Sequence, residues 1–455
     1  MRRMNCPACF VLTAALAAML VSCKRSEVAP VPPDDLTEEK TSPVASVAPE
    51  PVPRCRSEGA RLPLLGEDVI VGEAAIVNGS LLVGVIRRDG AKRVASIVVT
   101  DAGLTSPRYV DVGVALGDDP PPVPYAAGGR AFIVYFARKF GESTRELRVA
   151  RLDLRPGTQS THALETIAIV PQQADESLAF DVAWGPAIGG ATPSALVAWD
   201  EDAPRAPGRL FASRGLIKVQ FAPFAKAGAK AKVVSPEDSD AELPRLLPRR
   251  DGYWLAWLAN RPEVDDAGAP SAVSEGPGES RAYRWVEIVA LDAKGDPASN
   301  VRRVSSEKGR ALAFDLATPA SGKSEIVVLV QDEAASAEGG GARITRYVLD
   351  GDRVESGDIV DSGVGAALAE LVPAVDGVTR WLSWVDTRDR ARIVPLGPAL
   401  APAAPATFEP SLDEARPLIF AAPNATIVVA NQRIQNSDSD VALAPRTELA
   451  RILCH

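Results

Sequence analysis

The feature that most constrains this chain is an apolar strand that keeps returning. Seven short runs rich in Val, Ile, Leu, Ala and aromatic residues each follow a turn containing Gly or Pro. They are Leu81–Ile86 after Asn78-Gly79, Ala131–Ala137 after Gly128-Gly129, and Ala195–Trp199 after Gly189-Gly190. Next come Tyr253–Leu258 after Pro248–Gly252, Ile326–Val330 after Pro319–Gly322, Trp381–Val385 after Pro373–Gly377, and Thr426–Ala430 after Pro423-Asn424. Their spacing averages about 57 residues with insertions, close to the repeat lengths of propeller blades. A polar turn and a further strand follow, as at Trp285–Leu291, Ile344–Leu349, Arg392–Leu396 and Val441–Ala444. Uninterrupted apolar runs this short, bounded by turn formers, read as strands buried on both faces. Gly365–Val375 is the one stretch whose pattern allows a helical turn.

A sheet of a few strands cannot bury both faces by itself. Packing such sheets around an axis buries each on its neighbour and closes the ring. The sequence therefore predicts an all-β chain whose residues 55–455 form a single β-propeller, with seven four-stranded blades. Tandem β-sandwich domains are the alternative, since they also yield short strands at regular spacing. The P-x-x-D-G turns at Pro248–Gly252 and Pro373–Gly377 resemble the repeat of TolB-type, WD40-like propellers. In that family the turn joins the first and second strands of a blade. The other five copies lack the full motif, and the aromatic residue that usually precedes the Pro is absent.

The start of the chain is of another kind. Arg2 and Arg3 precede an apolar run from Phe10 to Val21. That run is too short for a bilayer core of about 30 Å and suits the apolar part of a signal peptide over residues 1–22. It ends in Leu20-Val21-Ser22-Cys23, which resembles the bacterial lipobox. The resemblance implies cleavage before Cys23, acylation of Cys23, and anchoring in a lipid bilayer. Lys24 stands where an Asp would imply inner-membrane retention in enteric-type bacteria, so the expected address is the cell envelope, at the outer membrane. Cys6 and Cys9 would be lost with the peptide. Residues 23–54 are rich in Pro, Glu, Val and Ser and read as a disordered tether.

With Cys23 acylated, the mature chain keeps Cys55 and Cys454, one at each end of the folded region. An oxidising envelope favours pairing, and a ring brings its ends together, so a Cys55–Cys454 disulfide is expected.

Composition removes several functions. The formal net charge is −9 with no basic block, a poor match to nucleic acid, whose phosphates need clustered Lys and Arg. The two histidines, His162 in a polar stretch and His455 at the end, leave little for a histidine-dependent catalytic site. No nucleotide-binding, zinc-protease, serine-hydrolase or sialidase-type motif occurs. Asn436–Asp440 alternates oxygen-bearing side chains but lacks the Gly and the terminal Glu of a calcium loop. No catalytic residue, metal ligand or cofactor is expected.

Polar residues gather in the turns after the repeated strands. In a propeller these turns lie on one face, and loops on the rim of a rigid scaffold are where recognition is placed. Asp200, Glu201, Asn260, Arg261, Asp386, Arg388 and Gln432 are the candidate rim. Trp199, Trp257 and Trp384 end their strands and are expected to pack the blades. The expected function is a non-catalytic binding or scaffold lipoprotein whose partner is an envelope protein or a polysaccharide. The alternative is an extracytoplasmic hydrolase or lyase using carboxylates or a metal on the same scaffold.

Overall fold

The computed structural model describes residues 54–454 apart from 102, 116–118, 139–143, 156–160, 172–178, 185–194, 205–212, 223–229, 238, 262–282, 319–325, 334–341, 352, 366–369, 374–379, 389–390, 397–406, 410–417, 423–425 and 434–445. The chain enters in β1 (Arg54–Pro63). Blade one is β2 (Glu67–Val77), β3 (Ser80–Asp89), β4 (Lys92–Asp101) and β5 (Arg108–Ala115). Blade two is β6 (Val123–Ala127), β7 (Arg130–Arg138), β8 (Thr144–Leu152) and β9 (Thr161–Pro171). Blade three is β10 (Phe180–Trp184), β11 (Ala195–Pro204), β12 (Ser213–Ala222) and β13 (Lys232–Val233). Blade four is β14 (Asp240–Arg249), β15 (Gly252–Arg261), β16 (Tyr283–Asp292) and β17 (Arg302–Arg303). Blade five is β18 (Ala311–Ala317), β19 (Ile326–Glu333), β20 (Ala342–Asp350) and β21 (Arg353–Val364). Blade six is β22 (Glu370–Pro373), β23 (Arg380–Val385) and β24 (Ala391–Leu396). The last sheet takes β25 (Thr407–Glu409), β26 (Leu418–Ala422), β27 (Thr426–Arg433) and β28 (Arg446–Cys454), and receives β1 from the other end of the domain.

The seven repeated apolar runs are the second strands, β3 through β27 at intervals of four. Among the described side chains these residues are buried almost without a break, as in Leu81–Ile86 and Tyr253–Ala259. Each such strand lies inside its sheet and is covered on both faces, which is why alternation disappears. The innermost strands β2, β6, β10, β14, β18, β22 and β26 touch one another in that order, and β26 touches β2. The protein is therefore a seven-bladed propeller.

The core is a series of slabs between blades. Phe136, Phe180 and Trp199 fill the slab between blades two and three. Trp257, Tyr253 and Ile217 fill the next. Leu62, Leu81 and Leu449 join the last blade to the first.

Two details depart from the expected blade plan. Among the described residues, blade six has three strands and the seventh sheet has five, with β25 paired in parallel with β1 at the outer edge. Glu370–Pro373 of the arguable helical stretch is strand β22; extended pairing with β23 overrides the local pattern of alanines and leucines there. Cys23, the signal peptide, His455, Val441–Ala444 and Asn436–Asp440 lie outside the described residues.

Candidate functional site

Three aspartates bond to backbone N–H groups where blades meet. Asp181 of β10 accepts the N–H of Val182 at 2.7 Å and that of Leu246, in the next blade, at 2.7 Å. Asp315 of β18 repeats the device, accepting from Leu316 at 2.8 Å and from Leu371 of the following blade at 2.9 Å. Asp200 accepts from Ala179 at 2.7 Å and from Leu243 at 3.0 Å. Buried N–H groups need acceptors, and a carboxylate can serve two strands at once. Burial raises the Asp200 carboxyl to about 7 and the Asp315 carboxyl to about 6, against the lowering effect of those same N–H bonds.

Asp200, read from the sequence as a rim residue, is thus 5% exposed and engaged internally. The strand runs on past it to Pro204, which leaves Asp200 mid-strand and beneath the surface, where amides of two blades meet it. Glu201 accepts the Lys218 ammonium at 2.8 Å and the Trp199 indole N–H at 3.4 Å. Asn260 accepts Arg284 Nε at 2.9 Å. Arg261 and Gln432 stand in the backbone ladders opposite Tyr283 and Thr447. Arg87 and Arg88, in the matching turn of blade one, pair with Asp111 at 3.0 Å and Asp68 at 2.8 Å. His162 is exposed on β9.

Asp386 and Arg388 are brought together in a cleft. Val360 and Gly363 of β21 form one wall. Trp384 of β23, the turn Asp386-Thr387-Arg388 and Arg392 of β24 form the other. The cleft holds about 280 Å³. Asp386 Oδ1 accepts the Arg388 backbone N–H at 2.9 Å, which shapes the turn. Its Oδ2 accepts Arg392 Nε and Nη2, both at 3.0 Å. The Arg392 side chain is still 46% exposed. Among the described residues, the Arg388 guanidinium has no partner.

The walls are held together by backbone. Gly365 N–H donates to Val385 O at 2.6 Å and Thr387 N–H to Gly363 O at 3.1 Å. Gly363 has φ +79°, a left-handed conformation that glycine adopts without strain. A Cβ on Gly365 would lie 2.9 Å from both Val385 O and Asp386 O. The polar turn was visible in the sequence. The contributions of Val360, Gly363 and Arg392 were not, because they come from a different blade or a different strand.

Comparison with known proteins gives the fold and no family. No family model matches the sequence, and no curated protein matches it. Among solved structures, an ulvan lyase of polysaccharide lyase family 25 is similar with a TM-score of 0.51 at 12% identity, covering 87% of this chain and 96% of that one. An α-L-arabinanase of Penicillium chrysogenum has a TM-score of 0.45 at 11% identity, covering 75% and 99%. The WD40 domain of Toxoplasma gondii coronin has 0.47 at 9%, covering 88% and 87%.

Proposed function

We propose that this protein is a membrane-anchored envelope lipoprotein whose propeller binds a polysaccharide or protein partner through its polar rim, without catalysis. The observation that carries this reading is the cleft between β21 and blade six. Among the described residues it sets an unpartnered guanidinium, a half-exposed one and an indole around a space of about 280 Å³, near the lower end of small-ligand pockets. The most strongly raised carboxyls, Asp200 and Asp315, have their oxygens committed to backbone amides. Neither is placed as a free acid or base. Acylation of Cys23 would hold the rim near the membrane, and residues 24–54 would set its reach.

Envelope glycans and proteins captured by the full chain test the proposal. Arg388→Ala should lose the partner while the melting temperature holds, and Arg392→Ala should lose it with some loss of stability, because it takes the guanidinium away from the largely buried Asp386 carboxylate. Capture unaffected by both changes would defeat the rim assignment. Cys23→Ser should abolish fatty-acid labelling and release the protein from the membrane fraction.

A second reading is a polysaccharide-cleaving enzyme on the same scaffold. It is favoured by the fold shared with a protein named as an ulvan lyase and by Asp386 at the cleft wall. Release of shortened or unsaturated oligosaccharides by wild type, lost in Asp386→Ala, would select it.

A further inference from the structure

Three tryptophans sit within the second strands of blades three, four and six, mid-strand in the first two rather than at the strand ends, and the third is provided for differently. Trp199 Nε1 donates to Glu201 Oε2 at 3.4 Å. Trp257 Nε1 donates to Glu287 Oε2 at 3.0 Å, and Glu287 also accepts Trp285 Nε1 at 3.0 Å. A glutamate of the same blade thus caps the indole N–H in both. Trp384 occupies the corresponding place in blade six and is 9% exposed. Its counterpart to Glu201, two residues on, is Asp386, whose carboxylate is taken by Arg392 and the Arg388 amide. Its register partner is Arg392, where Trp257 faces Glu287. Among the described residues, the Trp384 indole N–H has no acceptor.

We propose that the cleft is built for a carboxylate supplied by the ligand, and that the ligand is an acidic sugar residue of a polysaccharide. The inference rests on the binding reading above and names its substrate class. The carboxylate takes the place that Glu201 and Glu287 hold in blades three and four, accepting from the Trp384 N–H. The Arg388 guanidinium and the uncommitted Nη1 of Arg392 supply charge-assisted donors, the stronger kind. The exposed Thr387 hydroxyl is available to a sugar hydroxyl.

The backbone favours a compact ring over an extended peptide. Peptides that add to a sheet use free main-chain groups. At this cleft Gly365 N–H and Thr387 N–H are already bonded to Val385 O and Gly363 O.

The test is calorimetric titration of the full chain, in detergent, with trigalacturonate, maltotriose and a Glu-rich peptide. Trigalacturonate should bind at least about tenfold tighter than maltotriose, a difference of about 1.4 kcal/mol. Arg388→Ala, at an exposed side chain, should weaken trigalacturonate by at least about tenfold. Trp384→Phe, which keeps the ring and removes the N–H, should weaken it as well. Thermal melts identify any variant that fails to fold, and Arg388→Ala carries the test if Trp384→Phe does. Equal affinity for the neutral sugar, or trigalacturonate binding indifferent to Arg388→Ala, overturns the proposal. Peptide binding in place of trigalacturonate overturns the sugar assignment. If the envelope partner is neutral yet lost in Arg388→Ala, the carboxylate inference fails while the binding function stands.

Discussion

Cys55 of β1 stands directly opposite Cys454 of β28, in an antiparallel pair that joins the first described strand to the last. The ring is thus completed by the two ends of its own chain. Opposed residues in such a pair have Cα atoms about 4.5–5.5 Å apart, within the span a disulfide bridges. Non-reducing peptide mapping of protein purified from an oxidising compartment should recover the two linked. A bond closing a loop of about 400 residues is worth up to about 6 kcal/mol in the chain-entropy model. Cys454→Ser should therefore lower the melting temperature, with the loss absent under reducing conditions. Two free thiols in oxidised protein would refute the clasp.

Asp181 bridges Val182 in its own blade and Leu246 in the next. Asp181→Ala takes the acceptor from a buried N–H at Leu246, at about 1–3 kcal/mol, and from a part-buried one at Val182, at less. Denaturant unfolding should show a loss of that size. Hydrogen exchange should accelerate at Leu246, an amide 65 positions away in sequence. A variant as stable as wild type would show that water replaces the carboxylate.

Asp200 has its carboxyl raised to about 7 from an ordinary 3.8, chiefly by burial. The folded protein then holds this proton more tightly than the unfolded chain. Between about pH 4 and pH 7 the folded state binds more protons, so this group's contribution falls as pH rises. It is fully present below about pH 4 and is lost on passing pH 7. The stability advantage of wild type over Asp200→Asn should shrink from pH 5 to pH 8. A pH-independent difference would mean that the group titrates normally.

Gly365→Ala would bring a Cβ to 2.9 Å from two carbonyl oxygens of the facing turn. The turn must move outward, breaking the bond from Gly365 N–H to Val385 O. Ligand affinity at the cleft should fall with a modest loss of stability, read by titration and thermal melting on the same sample. Unchanged affinity would separate the cleft from the partner's site.

The all-β class, the seven repeats and the identity of each second strand are legible in the amino-acid order alone. These are local properties: a strand buried on both faces must be apolar along its whole length, and Tyr253–Ala259 shows this in its letters. The sharing of strands was set by the tertiary structure. Thr407–Glu409 pairs with β1, more than 350 positions away, and leaves blade six with three strands among the described residues. Composition marked Asp200 and Asp386 alike as polar turn residues. Only the packing sends one inward to amides of two blades and the other to the wall of a cleft. A carboxylate's role depends on which donors reach it, and those donors come from strands that the order of residues does not place side by side.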